Sequence, residues 1–282
     1  MATCLERSDV KGAMVFLSMK KLLFSILLLI ATVSCVGQKD DPEDLPTPGG
    51  EPVEEPADGP EGGAYFRRSL VLDFTGTWCV NCPKMEAAIK EAQAQRSGRI
   101  ACVSVHCLAV DNLALLPESG ELANRFGVTA YPSAVVDLDP ASLITVSSPE
   151  LLLSHADRLL EQRPEAAGLK ITGSLSGGVL TATLEAEVVR DGSYSFSLIV
   201  VEDGLVASQT GGSADYVHGN VLRAWKDSEV FPSCKAGDTL AWTVEAKASE
   251  GQRIVALICR EGIVDNVALC PAGGSVGYQY EE

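Results

Sequence analysis

Apolar positions between residues 64 and 164 switch between two periods. The run Phe66–Phe74 predicts a buried strand, because its branched and aromatic side chains fill a covered, pleated surface. Gly76 breaks it. From Pro83 to about Arg96 the spacing becomes helical, with Met85, Ala88, Ile89 and Ala92 on one face, and Gly98 stops it. Arg99–Val105 predicts the next buried strand and Glu118–Phe126 a short helix. Ser133–Leu138 and Ser142–Ser147 predict a hairpin turning at Asp139-Pro140. Ser148-Pro149-Glu150 has the form of a helix start: a hydroxyl to cap, then a proline where its missing N–H costs nothing. That helix runs to about Gln162, with Leu151, Leu152, His155, Leu159 and Leu160 as its packing stripe, and Pro164 ends it. The order is βαβαββα.

Past Ala166 the period drops to two. Leu169–Leu175, Val179–Val189, Tyr194–Val201, Leu240–Ala246 and Arg253–Cys259 predict strands, separated by turns such as Ser176-Gly177-Gly178 and Arg190-Asp191-Gly192. Short strands at this spacing predict an antiparallel β-sandwich of immunoglobulin or fibronectin type over residues 165–282, with its own core. The stretch Tyr216-Val217-His218-Gly219-Asn220-Val221-Leu222-Arg223-Ala224 stands apart from the pattern.

The chain before residue 64 is of another kind. Met19-Lys20-Lys21 followed by Leu22–Val33 is a basic stretch and a short apolar one, the form of an export signal, with residues 1–18 as an upstream extension. The apolar stretch is shorter than the roughly 20 residues of a membrane-spanning helix. It ends in Thr32-Val33-Ser34-Cys35, which resembles a bacterial lipoprotein processing site at which Cys35 becomes the lipidated N-terminus; a plain secretory signal is the alternative. Residues 1–34 are therefore expected to be extension and signal, and residues 35–63, acidic and rich in Pro and Gly, a disordered tether. Nine acidic residues fall in that tract, so much of the formal charge of −16 belongs to it rather than to a folded surface. The balance argues against a nucleic-acid partner, which needs a basic face. Gln38-Lys39-Asp40-Asp41 resembles the acidic export signal of surface lipoproteins in Bacteroidetes; a solvating charge run is the alternative.

The chemistry concentrates in Leu70–Met85. Cys79 and Cys82 stand where strand gives way to helix. Unpaired backbone N–H groups and the positive end of the helix dipole favour a thiolate at Cys79, which this placement leaves exposed. Cys82, one turn on, is shielded and in reach to close a disulfide. Trp78 directly precedes the pair. Asp73 lies six residues before Cys79 in an otherwise apolar strand. A buried, unpaired carboxylate there has a raised pKa and exchanges protons near neutral pH, unless hydrogen bonds give it a purely structural role. Further on, Gly127-Val128-Thr129-Ala130-Tyr131-Pro132 runs into the strand Ala134–Leu138.

In this order the parts resemble the thioredoxin superfamily over about residues 64–163. The resemblance implies that Cys79 attacks, Cys82 resolves, Asp73 takes the proton of the resolving thiol and Pro132 is a cis-proline beside the disulfide. It also implies a client surface at Trp78 and Tyr131. Val80-Asn81 departs from the Gly-Pro familiar between the two cysteines, which bears on redox potential. Trp78–Cys82, Val103–His106 and Tyr216–Ala224 together resemble the outer-membrane-protein-28 related lipoprotein family of Bacteroidetes, which pairs a thioredoxin-like domain with a β-domain.

His106, at the end of a strand where ligand sites collect in α/β folds, is a candidate to tune the cysteines; a structural role is the alternative. His218 is read as structural. A second Cys or His pair at ligand spacing is missing, since His106 and Cys107 are adjacent and on opposite faces of a strand, so no metal is expected. Cys102 reads as a small buried hydrophobe. Cys259 and Cys270 could link neighbouring strands, leaving Cys234 alone. The expected protein is thus an α/β thioredoxin-like domain at 64–164 followed by an all-β sandwich at 165–282. It would be held by a lipid anchor at Cys35 to the outer membrane of a bacterial envelope, facing the periplasm or the outside. Its expected chemistry is thiol–disulfide exchange with protein thiols and disulfides as clients, without a cofactor. The competing expectation is a surface binding or adhesion module on a thioredoxin-like scaffold. Redox maturation of haem proteins or other envelope clients is a third.

Overall fold

The computed structural model describes residues 63–282; the expected signal, Cys35 and the acidic tract through residue 62 lie outside them. Strand β1 (Ser69–Thr75) is buried along its whole length. Helix α1 (Cys82–Gln95) buries Cys82, Met85, Ala88, Ile89 and Ala92, the face its spacing predicts. There follow β2 (Ile100–His106), α2 (Glu118–Arg125), β3 (Ser133–Val136) and α3 (Pro149–Gln162). β1 lies between β2, to which it is parallel, and β3, to which it is antiparallel.

Two local expectations fail for identifiable reasons. The second arm of the hairpin after β3 is a 3-10 turn, Pro140–Ser142, and a single bridge between Ala134 and Ile144. There the Ser142 hydroxyl bonds both the N–H and the carbonyl of Val136, and Asp139 accepts from the N–H of Ala141. Side chains thus satisfy backbone groups that a longer strand would have paired. Helix α3 does start with Ser148 accepting from the N–H of Leu151. Its buried face, however, is Leu152, Leu153, Ala156 and Leu159, while Leu151 and Leu160 are about 40% exposed. Three consecutive leucines leave the phase of the stripe open, and packing against the sheet selects it.

The second half contributes β4 (Gly168–Ser176), β5 (Val179–Glu187), β6 (Gly192–Glu202), β7 (Leu205–Ala207), β8 (Tyr216–His218), β9 (Val221–Asp227), β10 (Phe231–Cys234), β11 (Thr239–Lys247), β12 (Arg253–Arg260), β13 (Ile263–Pro271) and β14 (Ser275–Val276). The fold is β-rich, with mixed and antiparallel sheets. An eight-stranded mixed sheet runs β13-β12-β6-β9-β2-β1-β3, with β10 also paired to β6. The join is β9, parallel to β2 at Ser104–Val221 and antiparallel to β6, so strands from both sides of residue 164 share one sheet. β11-β5-β4-β14 form a four-stranded antiparallel sheet, and β7-β8 a small hairpin.

One face of the large sheet carries a single cluster in which Leu72, Phe74 and Val103 pack with Ile199, Leu222 and Leu257. The opposite face is covered in two parts. Val71 and Cys102 meet α1 and α3 through Met85, Ile89 and Leu152, whereas Phe196, Leu198 and Ile258 meet the four-stranded sheet through Ile171, Leu180 and Leu184. Asp137 is buried beside Arg67, whose Nη2 lies 3.0 Å from its Oδ2, and also accepts from the N–H of Leu70 at 2.6 Å. Burial pushes its carboxyl up to about 6 against the pull of Arg67 and that backbone N–H. No helix among the described residues is long and apolar enough to cross a membrane.

Cys79–Cys82 is a disulfide; Cys102, Cys107, Cys234, Cys259 and Cys270 are free and buried. The suggested Cys259–Cys270 bridge is absent because the two lie toward opposite ends of the β12–β13 pair, opposite Val264 and Ile254, and face different clusters.

Candidate functional site

The site is built where β1 ends. Thr75 closes the strand, and a turn from Gly76 leads into α1, with the N–H of Cys79 donating to Gly76 O at 3.0 Å. The turn is tight enough that a Cβ on Gly76 would lie 2.5 Å from Trp78 Nε1, so the indole folds back over a residue without a side chain. Trp78 Nε1 donates to the carbonyl of Cys107 at 3.0 Å, and its ring meets Tyr131 edge-on at 5.2 Å. Cys82 is the first residue of α1; Cys79 and Cys82 are bonded, with Cα atoms 5.4 Å apart. The Tyr131–Pro132 bond is cis, and Pro132 directly precedes β3, one residue beyond the Phe74–Ser133 pair at the end of β1 that leads to the cysteines.

Both cysteines are buried, Cys79 at 4% and Cys82 at 2% exposure, which corrects the expectation of an exposed Cys79. Its cover comes from far along the chain. The loop between β7 and β8 lays Gln209 over the turn, where Nε2 donates to Cys79 O at 2.8 Å and Gly76 O at 3.2 Å. The N–H of Thr210 donates to Thr77 O at 2.8 Å. Gly211, at φ +80°, comes so close that a Cβ there would lie 2.4 Å from Val80 O.

Asp73 lies on the α1 side of the sheet, because β1 alternates and Leu72 and Phe74 take the other face. Its neighbours across the β1–β2 register, Ser104 and then His106, share that side. Its Oδ1 meets no hydrogen-bond partner among the described residues, and the side chain is 2% exposed. Burial first, then the nearby Glu86 carboxylate, pushes its carboxyl from 3.8 up to about 8. Glu86 is one turn beyond Cys82 on α1 and accepts from Tyr216 Oη at 2.5 Å and Lys90 Nζ at 2.6 Å.

His106 holds Asp111 through Nδ1 at 2.9 Å. Burial alone would raise the Asp111 carboxyl, but His106 and the N–H groups of Leu113 and Thr77 outweigh it and hold the group below its ordinary value. Since Asp111 Oδ2 also accepts from the N–H of Thr77 at 2.8 Å, the His106–Asp111 pair braces the turn two residues before Cys79. His106 also stacks edge-on with His218 at 5.1 Å. The structure thus gathers Asp73, Trp78, Cys79, Cys82, His106, Tyr131 and Pro132 around one strand end. Sequence reasoning missed Glu86, Asp111 and Gln209, marked Tyr216 only as part of an unusual stretch, and read His218 as structural. Glu86 was findable, four residues after Cys82 on a helix, and Tyr216 opens the stretch that stands apart from the pattern; Gln209 carries no local signal. Among the described residues no three His, Cys, Asp or Glu side chains stand together as metal ligands.

No protein-family model matches the chain, and no curated protein matches it in sequence. Solved structures do resemble it. HBP35 of Porphyromonas gingivalis superposes with a TM-score of 0.60 at 16% identity, covering 74% of this chain and 76% of that one. A protein from Agrobacterium tumefaciens gives 0.49 at 13% identity, covering 76% of this chain and 95% of its own. At these identities the likeness to HBP35 concerns the fold alone.

Proposed function

We propose that the chain is a thiol–disulfide oxidoreductase of thioredoxin type, with a thioredoxin-like α/β part at 64–164 and a β-domain at 165–282. The observation that carries the reading is Asp73: a buried carboxylate oxygen without a partner, on the same side of β1 as the helix that begins at Cys82. Leaving such a group unmatched costs about 1–3 kcal/mol, and its raised pKa suits proton exchange near neutrality. In the reducing direction the Cys79 thiolate attacks a client disulfide, forming a Cys79–client bond and releasing one client thiolate, which takes up a proton. Asp73 takes the proton of Cys82. The Cys82 thiolate then attacks Cys79 Sγ, closes the Cys79–Cys82 disulfide and releases the second client sulfur. Trp78 and Tyr131 form the wall against which a client segment lies, and the Gln209 loop must lift to admit it.

The test is trapping. Cys82→Ser should leave Cys79 able to attack but unable to release, so cells accumulate mixed disulfides that vanish with reductant and when Cys79 is also replaced. Burial of Cys79 under the Gln209 loop favours a second reading, a binding or adhesion module on a redox-silent scaffold. On that reading no adducts form, and partner binding survives loss of both cysteines.

The envelope location is part of the same proposal. Lipidation at Cys35 places the mature protein on a bacterial outer membrane, and the mass of the N-terminal peptide of membrane-extracted protein checks it. An unmodified N-terminus beyond residue 35 would exclude the anchor.

A further inference from the structure

We propose that His218 is the proton relay of this site, exchanging a proton with Asp73 across a small polar cavity between them and passing it to solvent through the larger cavity alongside. The inference rests on the oxidoreductase reading above and assigns, within it, the path of the proton.

Two buried polar atoms among the described residues face this space without a partner: Asp73 Oδ1 and His218 Nε2, on side chains 2% and 4% exposed. They come from β1 and β8, and both residues line one cavity of about 10 Å³ together with Thr75, Ser104, His106 and Gly219. That volume holds about one water molecule, and the lining supplies the two to four polar partners such a water needs. The backbone of Ala207 beside the His218 ring pulls toward its protonated form, and Nε2, buried and without a partner among the described residues, is the nitrogen left to take a proton.

A second cavity, of about 310 Å³, shares Asp73, Glu86, Ser104 and His218 with the first and extends to Lys90 and Asp203, which gives the proton a way out. The other titratable groups there are less suited. His106 is bonded to Asp111. From α1, Glu86 is held by Tyr216 and Lys90. Burial holds the Tyr216 phenol of β8 and the Cys102 thiol of β2 well above their ordinary values, so neither ionises near neutrality. Asp203, after β6, is bonded to Arg253.

The need for a relay follows from Asp73 itself. With its carboxyl pushed up to about 8, Asp73 is mostly protonated at pH 7 and must discharge before it can accept the proton of Cys82. His218 Nε2 takes that proton. Burial and the neighbouring His106 lower the basicity of the ring, so it releases the proton quickly to solvent. Asp73 then accepts the Cys82 proton, the Cys82 thiolate closes the disulfide with Cys79, and the departing client thiolate is protonated. Two electrons pass from the cysteine pair to the client disulfide, and the two protons lost by the pair equal the two gained by the client.

The experiment follows the reduced full chain reacting with oxidised glutathione, quenched with acid and read by mass, so that formation of the Cys79–glutathione adduct and its resolution by Cys82 are separate rates. His218→Gln should leave adduct formation unchanged and slow resolution by about 10²-fold at pH 7, the usual scale of general acid–base assistance, with the deficit shrinking toward pH 9 as Asp73 ionises unaided. His218→Ala should recover its resolution rate when free imidazole is added. Wild-type resolution with an unchanged pH profile in His218→Gln would overturn the relay, as would equal slowing of both steps or a lack of imidazole rescue. Failure of the wild-type pair to form any adduct would instead overturn the oxidoreductase reading on which the relay stands.

Discussion

At the scale of single residues, the buried carboxyl of Asp73 couples stability to pH. In the unfolded chain its carboxyl ionises near 3.8, whereas in the fold it holds its proton to about 8. The folded state therefore binds the extra proton between these values, and its stability falls as pH rises through that window. Asp73→Asn, which copies the protonated form, should be more stable than the wild type by up to about 4 kcal/mol at pH 7, with the gap closing toward pH 4. Urea unfolding of both proteins in the disulfide form, at several pH values, measures this. Because Asp137 is present in both, its own raised pKa cancels in the comparison. A variant less stable than the wild type at pH 7 would show that Asp73 is held by structure rather than poised for proton transfer.

At the scale of elements, the unexpected contact is the β7–β8 loop on the turn that carries Cys79. Gly211 allows it, because a side chain there meets Val80 O and its φ of +80° is strained for any other residue. Gly211→Ala should lower stability by about 1–3 kcal/mol and raise the loop from Cys79. In the reduced protein, iodoacetamide should then label Cys79 severalfold faster. The same loss of stability with an unchanged labelling rate would mean that the loop does not control access. The helix α1, by contrast, needs no distant help to be recognised. Its apolar spacing, Pro83 in the first turn and the cysteine pair before it agree, and its observed start differs from the expected one by a single residue.

At the scale of the whole molecule, the segments before and after residue 164 share a sheet and an apolar cluster. Leu72 and Val103 pack with Ile199, Leu222 and Leu257, and β9 closes the edge of β2. Unfolding in urea should therefore be one transition, superimposable by tryptophan fluorescence and far-ultraviolet circular dichroism. Two resolved transitions would show that the halves fold independently.

The sequence by itself determined what depends on neighbours in the chain: β1, α1, β2, α2, the Ser148 cap, the strands β4, β5, β6, β11 and β12, and the cysteine pair at a strand–helix junction. Each is written in a local period or a turn. It also singled out Asp73, because a carboxylate within an apolar run is anomalous without any knowledge of the fold. Only the tertiary structure decided which residues surround that carboxylate. His218, Tyr216 and Gln209 sit in short strands and a loop with little apolar period, and the β9–β2 pairing that seats them closes a long stretch of chain. Such contacts are fixed by the geometry of the completed sheet, and no local pattern encodes them. The phase of α3 was settled in the same way, since three adjacent leucines permit several buried faces and the packed sheet accepts one.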